Sequence, residues 1–181
     1  MADNFFALLD GDELRKIQLQ PGLDKDIGNI FSAKGQDLLV RKRVEFDGNQ
    51  HLEDDETLFV TMKLPDCLKD IKSNSTGITV LDISKDKKIK TLIWYDDEKD
   101  EYYFQNFDSR KMLRHKYVIY QEADIFNSLK SDAFIVDNAV NAVFKDGQFC
   151  FTSYANANRI FSLAEFFKEA TDDDIQALSN H

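Results

Sequence analysis

The stretch "AFIVDNAVNAVFKDGQFCFTSY", residues 133–154, carries the clearest β-hairpin pattern in the chain. Every second residue from Val140 to Phe144 is apolar, which is the period of a strand with one face buried. Asp146-Gly147 is a favoured tight-turn dipeptide, and phenylalanines alternate again beyond it. The stretch therefore predicts an antiparallel pair of strands within a sheet.

Further strands are predicted upstream, where apolar alternation or β-branched and aromatic residues recur. They are residues 5–19 as a hairpin, then 40–46, 57–64, 77–84, 90–97, 101–107 and 116–122. A helix is the competing interpretation of residues 4–9. Residues 77–107 are expected to form a meander or two hairpins, and residues 124–129 a short strand or turn.

Helical signals are fewer. Apolar spacing predicts a helix from about Asp24 to Gln36, and residues 65–74 suit one or two helical turns. After Tyr154 the period becomes helical, with a capping box at Ser162–Glu165 and a second cap at Thr171–Asp174. We therefore predict an α+β fold, a largely antiparallel, aromatic-rich sheet covered by a few helices. Residues 1–181 are expected to form one domain, or two tightly packed lobes that divide near 65–77.

Composition narrows the class of protein. The 181 residues include 15 Phe and 6 Tyr but only 2 Pro and 7 Gly, which is typical of a packed chain rather than a disordered one. The formal charge of −10 disfavours indiscriminate binding to polyanions. A local basic patch can still act within a Debye length of about 8–10 Å.

The expected compartment follows from what the sequence lacks. The first residues have no basic start followed by an apolar stretch, as a secretory signal would, and no apolar run reaches the ~20 residues of a membrane span. Cys67 and Cys150 are expected to be reduced, buried thiols. A soluble, cytoplasmic protein is therefore expected.

Catalytic motifs are missing from the sequence. Neither the paired Cys or His spacing of zinc sites, nor phosphate-binding glycine loops, nor a nucleophile elbow occurs. Asp82 with Asp97-Glu98-Lys99 could form a metal-dependent nuclease core, although a hairpin tip has the same composition. Cys150 and His115 could pair as a nucleophile and base, although a core position for Cys150 is favoured. We expect no enzyme activity, no metal and no cofactor.

Three segments are basic. They are Arg41-Lys42-Arg43, the cluster Lys85–Lys90, and residues 109–116, termed here the basic segment, which contains Arg110, Lys111, Arg114 and Lys116 and no carboxylate. Ordered Arg and Lys side chains bind phosphates with little loss of entropy. The basic segment is the best candidate because aromatic strands flank it. If it is helical, Arg110 and Arg114 share one face; the alternative is a solvated turn whose charges pair with the chain's own carboxylates.

Several motifs resemble the bacterial domain-of-unknown-function family that includes KwaB, a subunit of the Kiwa antiphage defence system. The motifs are "FQNFDSRKML" (104–113), "VDNAVNAVFKDGQFCFTSYANANRIFSL" (136–163), "EATDDDI" (169–175), "FFALLDGDELRKIQL" (5–19) and "VEFDGNQHLEDDETLFV" (44–60). The resemblance implies a role in phage defence, DNA binding, a membrane-protein partner and oligomers. It also implies a helical C-terminal extension that this chain lacks, so the native protein is expected to continue.

On this basis the sequence predicts a non-enzymatic, DNA-binding subunit of an antiphage system. Phosphates would be contacted without sequence preference by Arg110, Lys111, Arg114, Lys116 and by Arg41, Lys42 and Arg43. The alternatives are a module that docks a partner protein, an acidic mimic of DNA and, third, the metal-dependent nuclease. Recruitment from the cytoplasm to the inner membrane would follow from the partner.

Overall fold

The computed structural model describes residues 4–48, 52–86 and 88–167. Three α-helices form within them: α1 (Leu23–Leu39), α2 (Asp66–Ser73) and α3 (Tyr154–Ile160). The strands in the same ranges are β1 (Phe5–Leu9), β2 (Leu14–Lys16), β3 (Lys42–Glu45), β4 (Glu56–Thr61), β5 (Ile89–Asp96), β6 (Glu101–Asn106), β7 (Met112–Leu113), β8 (Ile119–Glu122), β9 (Ile125–Ser128), β10 (Ala133–Phe134), β11 (Ala142–Lys145) and β12 (Gln148–Phe151).

Eight of these strands form one mixed sheet in the order β2-β1-β5-β6-β11-β12-β4-β3. Every neighbouring pair is antiparallel except β3 and β4, which are parallel. Two small sheets stand outside it, β7 with β10 and β8 with β9. The predicted α+β class and the largely antiparallel, aromatic-rich sheet are confirmed, and residues 4–9 form a strand rather than a helix.

The hairpin of β11 and β12 lies in the middle of this order. Phe144 pairs with Phe149 across it, and Asp146 and Gly147 take the positive φ values, 50° and 76°, that a tight hairpin turn requires. β11 also pairs with β6, and β12 also pairs with β4. The predicted hairpin therefore joins two parts of the sheet. On one side of it lie β6, β5, β1 and β2, and on the other side lie β4 and β3.

Both faces of the sheet are buried. α1 covers one face, where Ile27 and Phe31 pack against residues such as Leu92. α2 and α3 cover the other, where Leu68 and Ile160 join a core rich in phenylalanine. Because helices shield both faces, central strands such as β6 are buried along their whole length rather than at alternate positions.

α1 approaches the sheet closely at two glycines. A Cβ built on Gly28 would lie 2.6 Å from Cζ2 of Trp94. A Cβ on Gly35 would overlap the ring of Tyr103 at Cδ1 and Cε1 even more closely. The missing side chains at these two positions let the aromatic rings of β5 and β6 contact the helix backbone.

A buried polar network lies under α1 beside Gly35. The carboxylate of Glu101 is fully enclosed, and its Oε2 accepts from Gln36 Nε2 at 3.0 Å and from the Tyr103 hydroxyl. Lys145 pairs with Oε1, and this hydrogen bond raises the pKa of the lysine. Burial raises the pKa of the Tyr103 phenol. Each carboxylate oxygen of Glu101 thus has at least one donor.

Two local predictions are wrong. Residues 77–84 contain no strand; only a bridge links Val80 to Lys16, because Asp82 turns the chain by accepting from the Ser84 N–H at 3.0 Å and from its hydroxyl at 2.6 Å. The Ser162–Glu165 capping box starts no α-helix, and a 3₁₀ turn without a side-chain cap follows. The predicted cap at 171–174 lies outside the described residues.

Residues 65–77 do not interrupt the core. α2 occupies most of this range, and Leu68 and Ile71 pack in the same cluster as strands from both sides of it. Among the described residues, no helix combines the length and apolar character needed to cross a bilayer.

Candidate functional site

The basic segment follows directly from the end of β6. A 3₁₀ turn at Ser109–Lys111 leads into β7, and a second 3₁₀ turn covers His115–Tyr117. The segment is therefore not a continuous helix, so Arg110 and Arg114 do not share a helical face. Asp108 starts the first turn, since its side chain accepts from the Arg110 N–H at 2.8 Å.

Arg110 is an exposed cation of the segment. Its side chain is 89% exposed, and both Nε and Nη2 donate to Asp108, at 3.0 and 2.8 Å. These bonds from Arg110 hold the pKa of the Asp108 carboxyl far below its usual value. Exposed pairs of this kind contribute little to stability, because water solvates both partners well. The Arg110 guanidinium is held in place on the turn, but it is already paired with the Asp108 carboxylate.

Because β7 pairs with β10, the aspartates on either side of β10 lie close to the next two cations of the segment. Lys111 pairs with Asp137, and Arg114 pairs with Asp132. Asp132 also accepts from the His115 backbone N–H at 3.0 Å, which is the largest cause of the low pKa of its carboxyl. Three of the four Arg and Lys side chains of the segment are thus each paired with a carboxylate. The predicted solvated turn, paired with the chain's own acids, describes this geometry better than an open phosphate site.

Arg41, Lys42 and Arg43 lie elsewhere in the fold. They lead into or belong to β3, an edge strand separated from β6 by β11, β12 and β4. Arg41 donates to the Asp54 carbonyl at 3.2 Å, Lys42 pairs with Glu56 at 2.7 Å, and Arg43 donates to Gln148. The structure therefore does not bring the two predicted sets of phosphate contacts together.

Two lysines of the cluster Lys85–Lys90 also form ion pairs with carboxylates of the same chain. Lys85 pairs with Asp82 at 3.0 Å and Lys90 with Asp12 at 2.9 Å. The bonds from Ser84 and Lys85 lower the pKa of Asp82 to about 2.

The catalytic alternatives find little support in the described part of the chain. No group of three His, Cys, Asp or Glu side chains there is placed to hold a metal ion. Asp82 acts as a turn residue, and Asp97 accepts from Asn4 at 3.2 Å. Cys150 is buried in β12, and this burial raises the pKa of its thiol, the reverse of nucleophile activation.

A surface that the sequence did not reveal begins where the basic segment ends. Residues 117–129, termed here the arm, contain the two-stranded ribbon β8–β9, which lies outside both core clusters. Tyr117, Ile119, Ile125 and Phe126 are 84%, 71%, 66% and 70% exposed. The sequence pattern correctly predicted a strand here. A run of β-branched and aromatic residues such as 117–120 is typical of a strand with a buried face, but Tyr117, Ile119, Ile125 and Phe126 are exposed.

An apolar cleft lies beside the base of the arm. Its volume is about 370 Å³, and Ile83, Phe107 and Met112 line it together with the start of β5. Three charged residues, Asp86, Lys88 and Arg114, line it as well. The arm therefore exposes several large apolar side chains close to a cleft that is lined in part by apolar residues.

Comparison with known proteins adds no assignment to this geometry. No family model, no curated protein and no solved structure matches the chain.

Proposed function

We propose that this chain is a non-enzymatic binding subunit that docks onto a partner protein through the arm. The observation that carries the proposal is the exposure of four large apolar side chains on the arm, Tyr117, Ile119, Ile125 and Phe126. Apolar patches of this kind, rimmed by polar residues, mark interaction sites in folded proteins. A partner that covers them removes their surface from water.

The form of the arm supports the same conclusion. A two-stranded ribbon is only marginally stable alone in water, and usually needs a further strand or a packed face. Ile119 and Phe126 share one face of this ribbon, since they pair with Ser128 and Gln121, and Ile125 shares the other with Tyr120. A partner that packs against either face would stabilise the ribbon.

Charges at the base of the arm define the chemistry of that partner. Lys116 precedes β8 and Lys130 follows β9, so both stand at the open end of the ribbon, and both are exposed. Neither forms an ion pair with any residue in the described ranges, whereas Arg114 beside them is paired with Asp132. The partner surface should therefore be apolar at its centre and carry carboxylates at its edge.

The resemblance to the family that includes KwaB supports a setting for this docking. In that setting the chain is a cytoplasmic subunit of a bacterial antiphage system, and a membrane-protein partner recruits it to the inner membrane. Homo-oligomers would form within the same assembly.

The test uses the full-length protein, tagged and purified from its own host. Native light scattering is expected to show a stoichiometric complex for the wild type. Ile119→Asp combined with Phe126→Asp should abolish it, because each carboxylate would lose its hydration at the interface. Val40→Asp is the matched control, since Val40 is 78% exposed but lies outside the arm. A complex that survives the arm changes contradicts the proposal, and one made only of this chain makes a second copy the occupant.

DNA binding is the second candidate, and the exposure of Arg110 favours it. The 89% exposed guanidinium stands on an ordered turn, and exposed Lys116 follows in the same segment. Both could contact phosphates, as in the predicted phosphate-binding role of the segment. Asp108, Asp132 and Asp137 nevertheless offset three of the four positive charges of this segment. One net positive charge remains, in a chain whose net charge is −10.

Charge reversal tests this second candidate. Arg110→Glu, Lys111→Glu and Arg114→Glu together should weaken binding of every duplex alike and reduce its salt dependence, because fewer counterions are released. The control reverses three exposed lysines outside the segment, Lys63, Lys69 and Lys99. Fluorescence anisotropy over a series of salt concentrations measures the affinity and its salt dependence for the wild type and the two triple variants. Equal affinity of the two triple variants removes the basic segment as the DNA-binding surface, and no binding by the wild type removes DNA binding as a function.

A further inference from the structure

A second cleft lies at the opposite end of β5 from the apolar cleft. It has a volume of about 320 Å³, and we term it the acidic cleft. The first turns of α1 form one wall, the turn between β5 and β6 forms the other, and Trp94 lies between them. The two clefts are separated by the length of β5, on the order of 20 Å.

Trp94 contributes an unused hydrogen-bond donor to the acidic cleft. Its side chain is only 8% exposed and lies against Gly28 and Phe5. The indole N–H makes no hydrogen bond with the described part of the chain, and it is not among the fully enclosed polar atoms there. The ring lines the acidic cleft, and its Cε2, the carbon bonded to the indole nitrogen, lies beside Gly28, which lines the same cleft. The N–H edge of the ring is therefore at the cleft. Buried tryptophans usually have an acceptor, so this free donor is unusual.

Carboxylates surround the same space. Asp24, Asp96, Asp97 and Glu98 line the cleft, and Lys25 is the cation that stands among them. Asp96 is paired with Lys99 at 3.2 Å, and Asp97 accepts from Asn4 through Oδ1. Glu98 is exposed and has no ion pair with a described residue. The lining therefore keeps uncompensated negative charge beside an indole donor.

We infer that the acidic cleft binds an arginine-containing peptide segment of a partner protein. The arginine guanidinium would lie between Asp97 and Glu98, where its planar fork can bond both carboxylates. A main-chain carbonyl of the same segment would accept from the Trp94 indole N–H. A metal ion does not suit this site, because the described residues hold no cluster of ligands able to coordinate one, and an indole N–H cannot be a ligand.

This inference does not rest on the arm. The acidic cleft uses residues of α1, β5 and the turn that follows, whereas the proposed docking surface uses residues 117–129. Loss of either function therefore leaves the other one measurable.

The experiment uses Trp94 as its own reporter, because it is the single tryptophan of the chain. The full-length protein is titrated with the peptide acetyl-Gly-Arg-Gly-Arg-Gly-amide while tryptophan emission is followed. The matched probe replaces each arginine by citrulline, which has nearly the same shape without the charge. We expect a saturable change in emission with the arginine peptide and at least about 10-fold weaker binding of the citrulline peptide, the typical effect of losing a charge-assisted hydrogen bond.

Two double variants locate the binding. Asp97→Asn with Glu98→Gln should weaken binding of the arginine peptide by about 10-fold or more. Glu53→Gln with Asp54→Asn makes the same change in net charge in the exposed loop before β4, outside both the arm and the acidic cleft, and should leave binding unchanged. An emission that does not saturate, equal binding of the two peptides, or equal effects of the two double variants overturns the inference.

Discussion

Replacing Lys145 by methionine is expected to lower the free energy of unfolding by about 3–5 kcal/mol. The change leaves the carboxylate of Glu101 fully enclosed, with Gln36 and Tyr103 as donors but without its cation. A buried charge that loses its partner retains the cost of leaving water and gains little in return. Urea unfolding followed by circular dichroism measures the loss.

Lys42→Met is the matched control for this prediction. Lys42 also pairs with a glutamate on a neighbouring strand, but its side chain is 67% exposed. Its replacement should change stability by no more than about 0.5 kcal/mol. Adding Glu101→Leu to Lys145→Met should restore part of the loss, since the uncompensated charge is gone. Equal effects of Lys145→Met and Lys42→Met would show that the buried network is not important for stability.

Gly35→Ala is expected to destabilise the protein by about 1–3 kcal/mol. Alanine normally favours a helix interior by about 1 kcal/mol over glycine, so the sign of the effect is diagnostic. Here the new methyl group would overlap the ring of Tyr103, which cannot move freely because its hydroxyl is bonded to Glu101. Thermal and urea unfolding of the variant give the size of the effect.

Two comparisons test whether overlap with the Tyr103 ring is the reason that Gly35→Ala destabilises the protein. Asp37→Ala changes an exposed position in the same helix and should leave stability equal or slightly higher. In a Tyr103→Ala background, Gly35→Ala should become stabilising, because the ring is gone. If Gly35→Ala remains destabilising there, close approach to Tyr103 is not the reason for the glycine.

Sequence patterns predicted those elements that depend on neighbouring residues. The hairpin at Asp146-Gly147, the hairpin at Asp10-Gly11 and the helix from Asp24 follow from turn chemistry and apolar period. The wrongly predicted strand at 77–84 shows the limit, because the local bonds of Asp82 outweigh the strand preference of its neighbours.

The candidate sites depended on contacts between distant residues. Asp132 and Asp137 neutralise the basic segment only because β10 pairs with β7, a ladder of two residue pairs too short to predict. Exposure of the arm could not be predicted either, since Ile119 and Phe126 have the pattern of a buried strand. The acidic cleft exists because α1 packs beside Trp94, and the only sequence signal for it was the run from Asp96 to Asp100.

The central position of the β11–β12 hairpin also governs how the chain can fold as it is synthesised. β3 and β4 leave the ribosome early, yet β4 can join the rest of the sheet only through β12. At ordinary translation rates, the roughly 80 residues between them take about 4–16 s to emerge. During that interval β4 and β6 present open edges, which are templates for pairing with other chains. Nascent chains should therefore need a chaperone most before residue 151 has emerged.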